Sequence, residues 1–157
     1  MKKSSVIGVI SDTHGLLRPE AVKALQKAEM ILHAGDIGKK EVLDQLRDIA
    51  PTIAIRGNTD SDEWAEALSS TEVVRVGEAT LYMLHDLARL DLDPVAAGFH
   101  CVISGHSHKP TVETWNNVVY LNPGAAGPKR FKLPVSVALL HVSGQSVEAQ
   151  IVELSCV

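Results

Sequence analysis

The sequence predicts an α/β fold, and two observations support this prediction. Short β-branched runs alternate with segments whose apolar residues recur at helical spacing through the first two thirds of the chain. After residue 110 the pattern changes to alternating β runs that are separated by turn residues. The first pattern is typical of parallel strands joined by helices, and the second is typical of hairpins. We therefore expect a largely parallel sheet followed by two hairpins.

Five apolar runs predict the strands of the parallel sheet, because strands that are covered on both faces are apolar throughout. They are SVIGVIS (5–11), MILHAG (30–35), TIAIRG (52–57), TLYMLH (80–85) and CVISG (101–105). Between them, segments 18–28, 39–50 and 62–70 carry the apolar spacing of helices. Pro19 suits the start of the first helix, and Pro51 ends the second.

The remainder of the chain predicts two hairpins, over residues 111–122 and 135–154. Asn116-Asn117 and Ser143-Gly144 are the turn signals within them. Segment 122–134, NPGAAGPKRFKLP, is rich in Gly and Pro and joins the hairpins. We expect it to form a loop with a basic end.

Size and charge limit the function. The 157 residues fit a single domain, residues 1–157, with room for a substantial core. The net charge is −4 and no Lys/Arg run exceeds two residues, so we expect no stable nucleic-acid binding. The N-terminal apolar run VIGVI is too short for a signal peptide or a membrane span, so we expect no membrane partner.

The two cysteines, Cys101 and Cys156, do not make a disulfide framework. We expect both to be structural and the protein to be cytoplasmic. The sequence leaves the oligomeric state open, a homo-oligomer included.

Side chains that can bind metals follow all five predicted strands. They are Asp12, His14, Asp36, Asn58, Asp60, His85, His106 and His108. Each has a simpler interpretation in isolation, as a helix cap, a turn residue or a histidine at the edge of the core. Their joint appearance at the carboxyl ends of strands, where open α/β sheets bind ligands, favours a metal site.

The spacing of the GHSH segment suits two ions. Residues i and i+2 of an extended chain lie about 6.6 Å apart on one side, which is wide for two ligands of a single ion. Two-metal hydrolytic sites hold their ions about 3.5–4 Å apart, so His106 and His108 could each reach one ion. Asp36 could bridge them with its two oxygens. Gly35, Gly57 and Gly105 are glycines that allow the backbone to approach this cluster.

The ordered set D-x-H, G-D, G-N-x-D, H and G-H-x-H resembles the calcineurin-like metallophosphoesterase superfamily. The NPG that follows resembles the superfamily's small, single-domain YfcE-type phosphodiesterase branch, and the likeness runs from Asp12 to Pro128. The resemblance implies a four-layer α/β/β/α sandwich, a small phosphoester substrate and two divalent metal ions. We expect Mn²⁺ first, with Mg²⁺, Ni²⁺, Zn²⁺ and Fe²⁺ as alternatives.

The resemblance also implies which residues hold each ion. The first ion would be held by Asp12, His14, Asp36 and His108. The second would be held by Asp36, Asn58, His85 and His106. The other histidines, His33, His100 and His141, match no ligand position and are assigned to packing or to the surface, with His33 a candidate for contacts behind the ligands.

Two residues depart from the family pattern. Thr59 stands where many superfamily phosphatases have a histidine, and a threonine hydroxyl cannot serve as a general acid near neutral pH. Ala125 stands where the branch usually has the serine of NPGS, so a hydroxyl contact from that position is absent.

The implied activity is hydrolysis of a phosphodiester through attack by a hydroxide that bridges the two ions. The catalytic set comprises Asn58, Asp36 and Asp60, with Asn58 stabilising the oxygens of the phosphorus centre. The residues expected to contact the substrate phosphate are Arg130, Lys129 and Thr59, although the loop at 128–134 is equally well explained as a solvated basic loop.

A phosphomonoesterase is an alternative. So is a non-catalytic scaffold of the same fold, like the retromer subunit related to this superfamily, but such a scaffold should have lost ligands, whereas every ligand position here is filled.

Overall fold

The computed structural model describes residues 4–130 and 132–155, and within them the chain forms two five-stranded sheets. The strands are β1 (Ser4–Ile10), β2 (Met30–His33), β3 (Thr52–Ala54), β4 (Thr71–Val76), β5 (Ala79–Leu84), β6 (Cys101–Ile103), β7 (Thr111–Trp115), β8 (Val118–Asn122), β9 (Ser136–Ser143) and β10 (Ser146–Glu153). The first sheet has the order β10-β9-β1-β2-β3, and the second has the order β4-β5-β6-β8-β7. Each has parallel strands at its centre and an antiparallel hairpin at one or both edges.

The expectation of one largely parallel sheet was wrong. Strands β1, β2 and β3 pair with one another in the first sheet, whereas β5 and β6 pair in the second. All five runs are apolar on both faces, since each is covered on both sides, and such runs carry no sign of which sheet they join. The α/β class and the sandwich implied by the family resemblance are confirmed.

The main core lies between the two sheets. Alternate residues of facing strands fill it, with Ile7 and Val9 of β1 opposed to Leu81 and Met83 of β5. The residues between them point the other way, because successive side chains of a strand lie on opposite faces. Ile10 accordingly packs in the outer cluster of the first sheet.

Helices cover the outer face of each sheet. On the first sheet they are α1 (Pro19–Ala24) and α2 (Lys40–Arg47), and α3 (Glu63–Glu66) follows β3. The second sheet has a thinner cover, made by a 3₁₀ helix (Leu87–Arg89), by α4 (Pro94–Ala97) and by the residues beside them. The result is an α/β/β/α arrangement whose last layer is thin.

Several elements differ in length from the sequence prediction. The three predicted helices are present but shorter at both ends, and both hairpins are confirmed, with Asn116 and Asn117 at φ 49° and 64° in the turn of the first. Strand β4, the 3₁₀ helix and α4 were missed. The alternating TEVVRV followed by a Gly-Glu turn was a usable signal for β4.

Burial accounts for the character of the one cysteine that the structure describes. Cys101 is buried in the core between the sheets, and burial raises the pKa of its thiol to about 12, consistent with a structural role. Cys156 lies outside the described residues. Among the helices of the described chain, none has the length and apolar character needed to cross a bilayer.

Candidate metal centre

The loops after five strands bring the predicted ligands to one edge of the sandwich. Asp12 and His14 follow β1, Asp36 follows β2, and Asn58 follows β3, all from the first sheet. His85 follows β5 directly, and the GHSH segment follows β6, both from the second sheet. The site therefore spans the junction between the two sheets, which a single parallel sheet could not have provided.

The donor atoms fall into two triads. Asp12, His14 and His108 form the first triad, and Asp36, His85 and His106 form the second. Within each triad the candidate donor atoms all lie within 4.8 Å of one another. Imidazole nitrogens mixed with carboxylate oxygens suit first-row ions such as Mn²⁺, Fe²⁺, Ni²⁺ and Zn²⁺. The two histidines of GHSH enter different triads, as the i, i+2 spacing predicted.

Asp36 lies where the triads meet. Its Oδ2 is 3.2 Å from His85 Nε2 in the second triad and 3.8 Å from His14 Nε2 in the first. Asp12 Oδ1 is 3.3 Å from His108 Nε2 and 3.8 Å from His85 Nε2. The two carboxylates thus face each other's histidines, and Asp36 can reach both groups of donors.

Four buried polar atoms in this cluster have no hydrogen-bond partner in the part of the chain that the structure describes. They are Asp12 Oδ1, His14 Nε2, His85 Nε2 and His108 Nδ1. A buried polar atom left unpaired costs about 1–3 kcal/mol, and such atoms are rare in native proteins. Their concentration at one place fits a centre in which cations complete the coordination of these atoms.

The opposite oxygens of the two carboxylates are already engaged. Asp12 Oδ2 accepts hydrogen bonds from Ser11 Oγ at 2.7 Å and from the His106 amide at 3.0 Å. Asp36 Oδ1 accepts a hydrogen bond from the Thr59 amide at 2.9 Å. Each carboxylate is thereby oriented with one oxygen held by the protein and the other directed at the histidines. Ser11 was not predicted, because its role depends on a contact made only in the fold.

His85 is held in the tautomer that leaves Nε2 free. Its Nδ1 lies 2.7 Å from the Ala34 carbonyl oxygen, which can only accept, so Nδ1 donates. Burial alone would lower the pKa of His85, but the Asp36 carboxylate 3.2 Å from Nε2 and the hydrogen bond to Ala34 raise that pKa above its ordinary value. In the absence of a metal, a proton on Nε2 is favoured by the neighbouring carboxylates. A divalent cation would take the place of that proton.

At Asp36, as at His85, neighbouring groups outweigh burial, and here they lower the pKa. Burial by itself would raise the pKa of this carboxyl, but the close contact with His85 and the hydrogen bond from the Thr59 amide hold it well below its usual range. Asp36 is consequently ionised at neutral pH, as a metal ligand must be.

The backbone of the site is conformationally unusual. Seven non-glycine residues in the described chain have positive φ, and five are predicted ligands. These are Asp12 (53°), His14 (45°), Asp36 (56°), His106 (72°) and His108 (64°). Non-glycine residues rarely occupy this region, and such strain concentrates at functional sites. The surrounding hydrogen bonds therefore hold these five residues in conformations that local preference does not favour.

Glycines allow the loops to come this close. A Cβ at Gly57 would overlap the Asp36 amide and carboxylate, and a Cβ at Gly105 would lie 2.7 Å from Asp12 Oδ2. Neither position has room for a side chain. The predicted role of these glycines agrees with these contacts.

Asp60 was predicted as catalytic, but its contacts indicate a different role. Its buried carboxylate accepts hydrogen bonds from the amides of Ile37 (3.0 and 3.1 Å), Gly38 (3.1 Å) and Gly57 (3.0 Å). Both oxygens are therefore committed to backbone amides of the loops after β2 and β3. We interpret Asp60 as a positioning residue for Asp36 and Asn58.

His33 also supports the loops behind the ligands. Its Nδ1 accepts from the Gly35 amide at 3.1 Å, so Nε2 carries the proton and faces Thr13 Oγ1 at 3.0 Å. Thr13 Oγ1 in turn donates to the Ile37 carbonyl at 2.8 Å. Burial lowers the pKa of His33 to about 3, which keeps this network neutral. This location agrees with the expected contacts behind the ligands.

Asn122 of the NPG segment is a further positioning residue that the sequence reasoning missed. Its Nδ2 donates to the Gly105 carbonyl at 2.9 Å and lies 3.0 Å from Ser107 Oγ. It thereby holds the GHSH segment from the neighbouring strand β8. The motif match marked NPG as a family feature, but only the fold shows what this asparagine contacts.

The remaining predicted residues lie around the opening of the centre. Asn58 and Thr59 are exposed there, and Asn58 Oδ1 is 3.1 Å from His106 Nδ1. Lys129 and Arg130 are exposed on the loop after NPG. Burial lowers the pKa of His108, and the positive charge of Arg130 lowers it further, although Asp12 opposes both effects. The side chain of Arg130 is therefore close enough to act on the first triad.

The other unassigned histidines lie outside both triads. His100 Nδ1 accepts a hydrogen bond from the Thr80 amide at 2.9 Å, and His141 is exposed on β9. Neither belongs to a triad.

Comparison with known proteins agrees with this arrangement. Residues 6–145 match the family model of the calcineurin-like phosphoesterase superfamily domain. A probable metallophosphoesterase of Methanothermobacter thermautotrophicus is 36% identical over 158 residues, which cover 94% of this chain and 91% of that protein. A phosphodiesterase of Methanocaldococcus jannaschii is 27% identical over 137 residues, covering 75% of this chain and 82% of that protein.

Two solved structures share the fold. Vps29 of Chaetomium thermophilum has a TM-score of 0.78 at 19% identity, with 96% of this chain and 95% of that chain covered. The phosphoesterase YfcE of E. coli has a TM-score of 0.68 at 20% identity, with 96% of this chain and 100% of that chain covered. The family model spans most of the sequence, and the resemblance drawn from its motifs is confirmed. The chain belongs to the calcineurin-like phosphoesterase superfamily.

Proposed function

We propose that this protein is a metal-dependent phosphodiesterase that holds two divalent ions, with Mn²⁺ the first candidate. The observation that carries the proposal is the pair of adjoining His/Asp triads, in which four buried polar atoms have no hydrogen-bond partner among the described residues. The first ion would be held by Asp12, His14 and His108. The second would be held by His85, His106 and Asn58, and Asp36 would touch both.

Charge explains why such a centre suits a phosphodiester. Two divalent ions, the carboxylates of Asp12 and Asp36 and one hydroxide leave a net charge of about +1. A phosphodiester carries a single negative charge, so it complements the centre. When bound, the ions would supply Lewis acidity and a hydroxide nucleophile near neutral pH.

The protein's own residues would orient the substrate and the ligands. Asn58 is exposed at the opening of the second triad, where its amide group can donate to a phosphate oxygen. Arg130 adds positive charge on the side of the first triad, and the exposed Lys129 precedes it on the same loop. Ser11, Asp60 and Asn122 would act indirectly, because their hydrogen bonds hold the ligand loops in position.

The two alternatives are tested by the same experiment. A phosphomonoesterase is compatible with the charge of the centre. A non-catalytic scaffold is compatible with the fold, which resembles Vps29 and YfcE alike. The filled ligand positions and the strained ligand backbone favour an enzyme, because a scaffold has no need for either.

The test is turnover of metal-stripped protein after addition of Mn²⁺, Mg²⁺, Ni²⁺ or Zn²⁺. Bis(p-nitrophenyl) phosphate represents diesters, and p-nitrophenyl phosphate represents monoesters. We expect metal-dependent hydrolysis that favours the diester and two ions per chain by elemental analysis. His108→Gln should lose one ion and most turnover, whereas the matched surface control His141→Gln should lose neither.

Three outcomes would contradict parts of this proposal. Two bound ions without turnover on either ester would favour the scaffold. Preference for the monoester would favour a phosphomonoesterase. Equal losses in the His108→Gln and His141→Gln variants would show that the ligand set is wrong.

A further inference from the structure

A cleft opens beside the second triad and extends beyond the predicted ligands. Asn58, His85 and His106 form one end of it, and its volume is about 560 Å³. Ligand pockets in proteins commonly occupy about 300–1,000 Å³. The cleft is therefore large enough for an organic group of about nucleoside size next to the candidate metal centre.

One wall of the cleft is apolar and already ordered. Tyr82 and Leu84 of β5 line it, and both are more than nine-tenths buried. The ring of Tyr82 stacks on Phe99 with a centroid distance of 4.8 Å and an interplanar angle of 7°. A flat organic group could contact this wall without any rearrangement, which favours binding because little conformational entropy is lost.

Arg56 places a positive charge on the same cleft. It follows β3, and its backbone amide donates to the Ser69 carbonyl at 2.9 Å, which ties its loop to the segment before β4. No carboxylate within the described ranges lies within 4.0 Å of its guanidinium, whereas Arg89 on the same cleft lies 3.9 Å from Asp86. Arg56 is half-buried, while the Arg89 side chain is 86% exposed. Arg56 is thus the better placed cation for binding an anion within the cleft.

We propose that the cleft binds one ester substituent of the substrate and that Arg56 contacts a second anionic group on that substituent. The substrate class is then a phosphodiester with one substituent of about nucleoside size that carries a further phosphate or carboxylate. This inference rests on the proposed function, since it places the scissile phosphate at the triads. Arg56 is well suited to the contact because its planar guanidinium binds such anions through two parallel hydrogen bonds.

The hydrolysis test uses two probes that differ only in the second anion. They are thymidine 5′-(p-nitrophenyl phosphate) and the same compound with a 3′-phosphate, and release of p-nitrophenol reports on the diester in both. Arg56→Met should lower kcat/KM for the 3′-phosphorylated probe by about 10–100-fold while changing the other by less than about threefold. Arg56→Lys keeps the charge but loses the paired geometry, so we expect an intermediate loss.

A matched control is Arg75→Met, which removes an exposed arginine on β4 that does not line the cleft. It should change neither probe. Equal losses on both probes in the Arg56→Met variant, or no loss on either, would overturn the subsite. If Arg56→Met does not fold, as judged by thermal unfolding, the Arg56→Lys variant takes its place. Its losses of kcat/KM on the two probes are then compared with those of native protein.

A binding measurement separates this inference from the proposed function. Calorimetry with thymidine 3′,5′-bisphosphate should show at least about tenfold weaker binding to Arg56→Met than to native protein in the presence of Mn²⁺. Equal affinities would overturn the subsite even if the native protein hydrolyses both probes. Arg56-dependent binding without hydrolysis of either probe would overturn the phosphodiesterase and leave the subsite standing.

Discussion

Replacing Asp60 by asparagine tests whether this residue positions the ligand loops or takes part in the chemistry. The Asp60 side chain is buried, and its oxygens accept hydrogen bonds of 3.0–3.1 Å from the amides of Ile37, Gly38 and Gly57. Asp60→Asn keeps the shape but replaces one acceptor oxygen with an NH₂ group. Whichever way the amide is oriented, that group faces backbone N–H donors.

The contacts set the expected magnitude. Each carboxylate oxygen receives two of the amide contacts, so the variant loses one or two hydrogen bonds to a charged acceptor. Such bonds are worth about 1.5–3 kcal/mol each, so we expect the free energy of unfolding to fall by about 3 kcal/mol. For a chain of this size, that loss corresponds to a decrease in Tm of about 6–12 °C.

The loops that carry Asp36 and Asn58 would also lose their common anchor. We expect Mn²⁺ affinity to fall by about 10–100-fold, the range typical of residues behind metal ligands. Turnover of the Asp60→Asn variant should come much closer to that of native protein at saturating metal than at limiting metal, because a positioning residue acts through occupancy of the metal site.

Urea unfolding of the metal-free protein and calorimetric Mn²⁺ titration measure both effects. Asp48→Asn is the matched control, because Asp48 is exposed just after α2 and we expect no change in either measurement. The reasoning is refuted if Asp60→Asn alters the unfolding free energy by less than about 0.5 kcal/mol and leaves Mn²⁺ affinity intact while turnover collapses. That result would restore a direct catalytic role for Asp60.

Three further changes test other parts of the site. Asp36→Asn should lose more metal and turnover than any other single ligand change, because Asp36 faces both triads. If this variant keeps two ions per chain and near-normal turnover, Asp36 does not bridge the ions. Thr59→His should raise turnover of esters with poor leaving groups by up to about 10²–10⁴-fold if a general acid is otherwise lacking. Turnover of activated aryl diesters should change little. The measurement is a plot of log turnover against leaving-group pKa, and a shallow slope in the native protein would mean that another group already donates the proton. His33 has a pKa of about 3 in the folded protein, against about 6.5 in the unfolded chain. As the pH drops from about 6.5 towards 3, the unfolded chain therefore binds the proton first. The free energy of unfolding should fall by up to about 1.4 kcal/mol per pH unit over that interval. Urea titrations should show a flatter pH dependence for His33→Gln over that interval, and an unchanged slope would mean that other groups dominate it.

Much of the site was predictable because its signals are local. Each candidate ligand stands one to five residues after a strand, and the types of side chain are those that metals require. The split of His106 and His108 between two triads also followed from the geometry of neighbouring residues in an extended chain. Cytoplasmic location, the absence of nucleic-acid and membrane partners and the identity of the metal stay predictions.

The fold was predictable in class but not in pairing. Apolar residues recur every two or every 3.6 residues within each segment, so strands and helices could be assigned one at a time. The alternating pattern of β4 (Thr71–Val76) begins directly after the predicted helix over 62–70 and was missed. Helix ends were also overestimated, since packing rather than periodicity decides where the last turn ends.

The sequence by itself determined the α/β class and the family, and it singled out the candidate metal ligands, because these depend on residue types and spacings along the chain. Only the tertiary structure decided that β1–β3 and β5–β6 belong to different sheets, and that the site lies at their junction. It also decided that Asp60 and Asn122 hold loops and that Arg56 lines a cleft beside the second triad. These roles arise from hydrogen bonds and contacts between residues distant in sequence, and no local pattern encodes which distant amide or loop a polar side chain will meet.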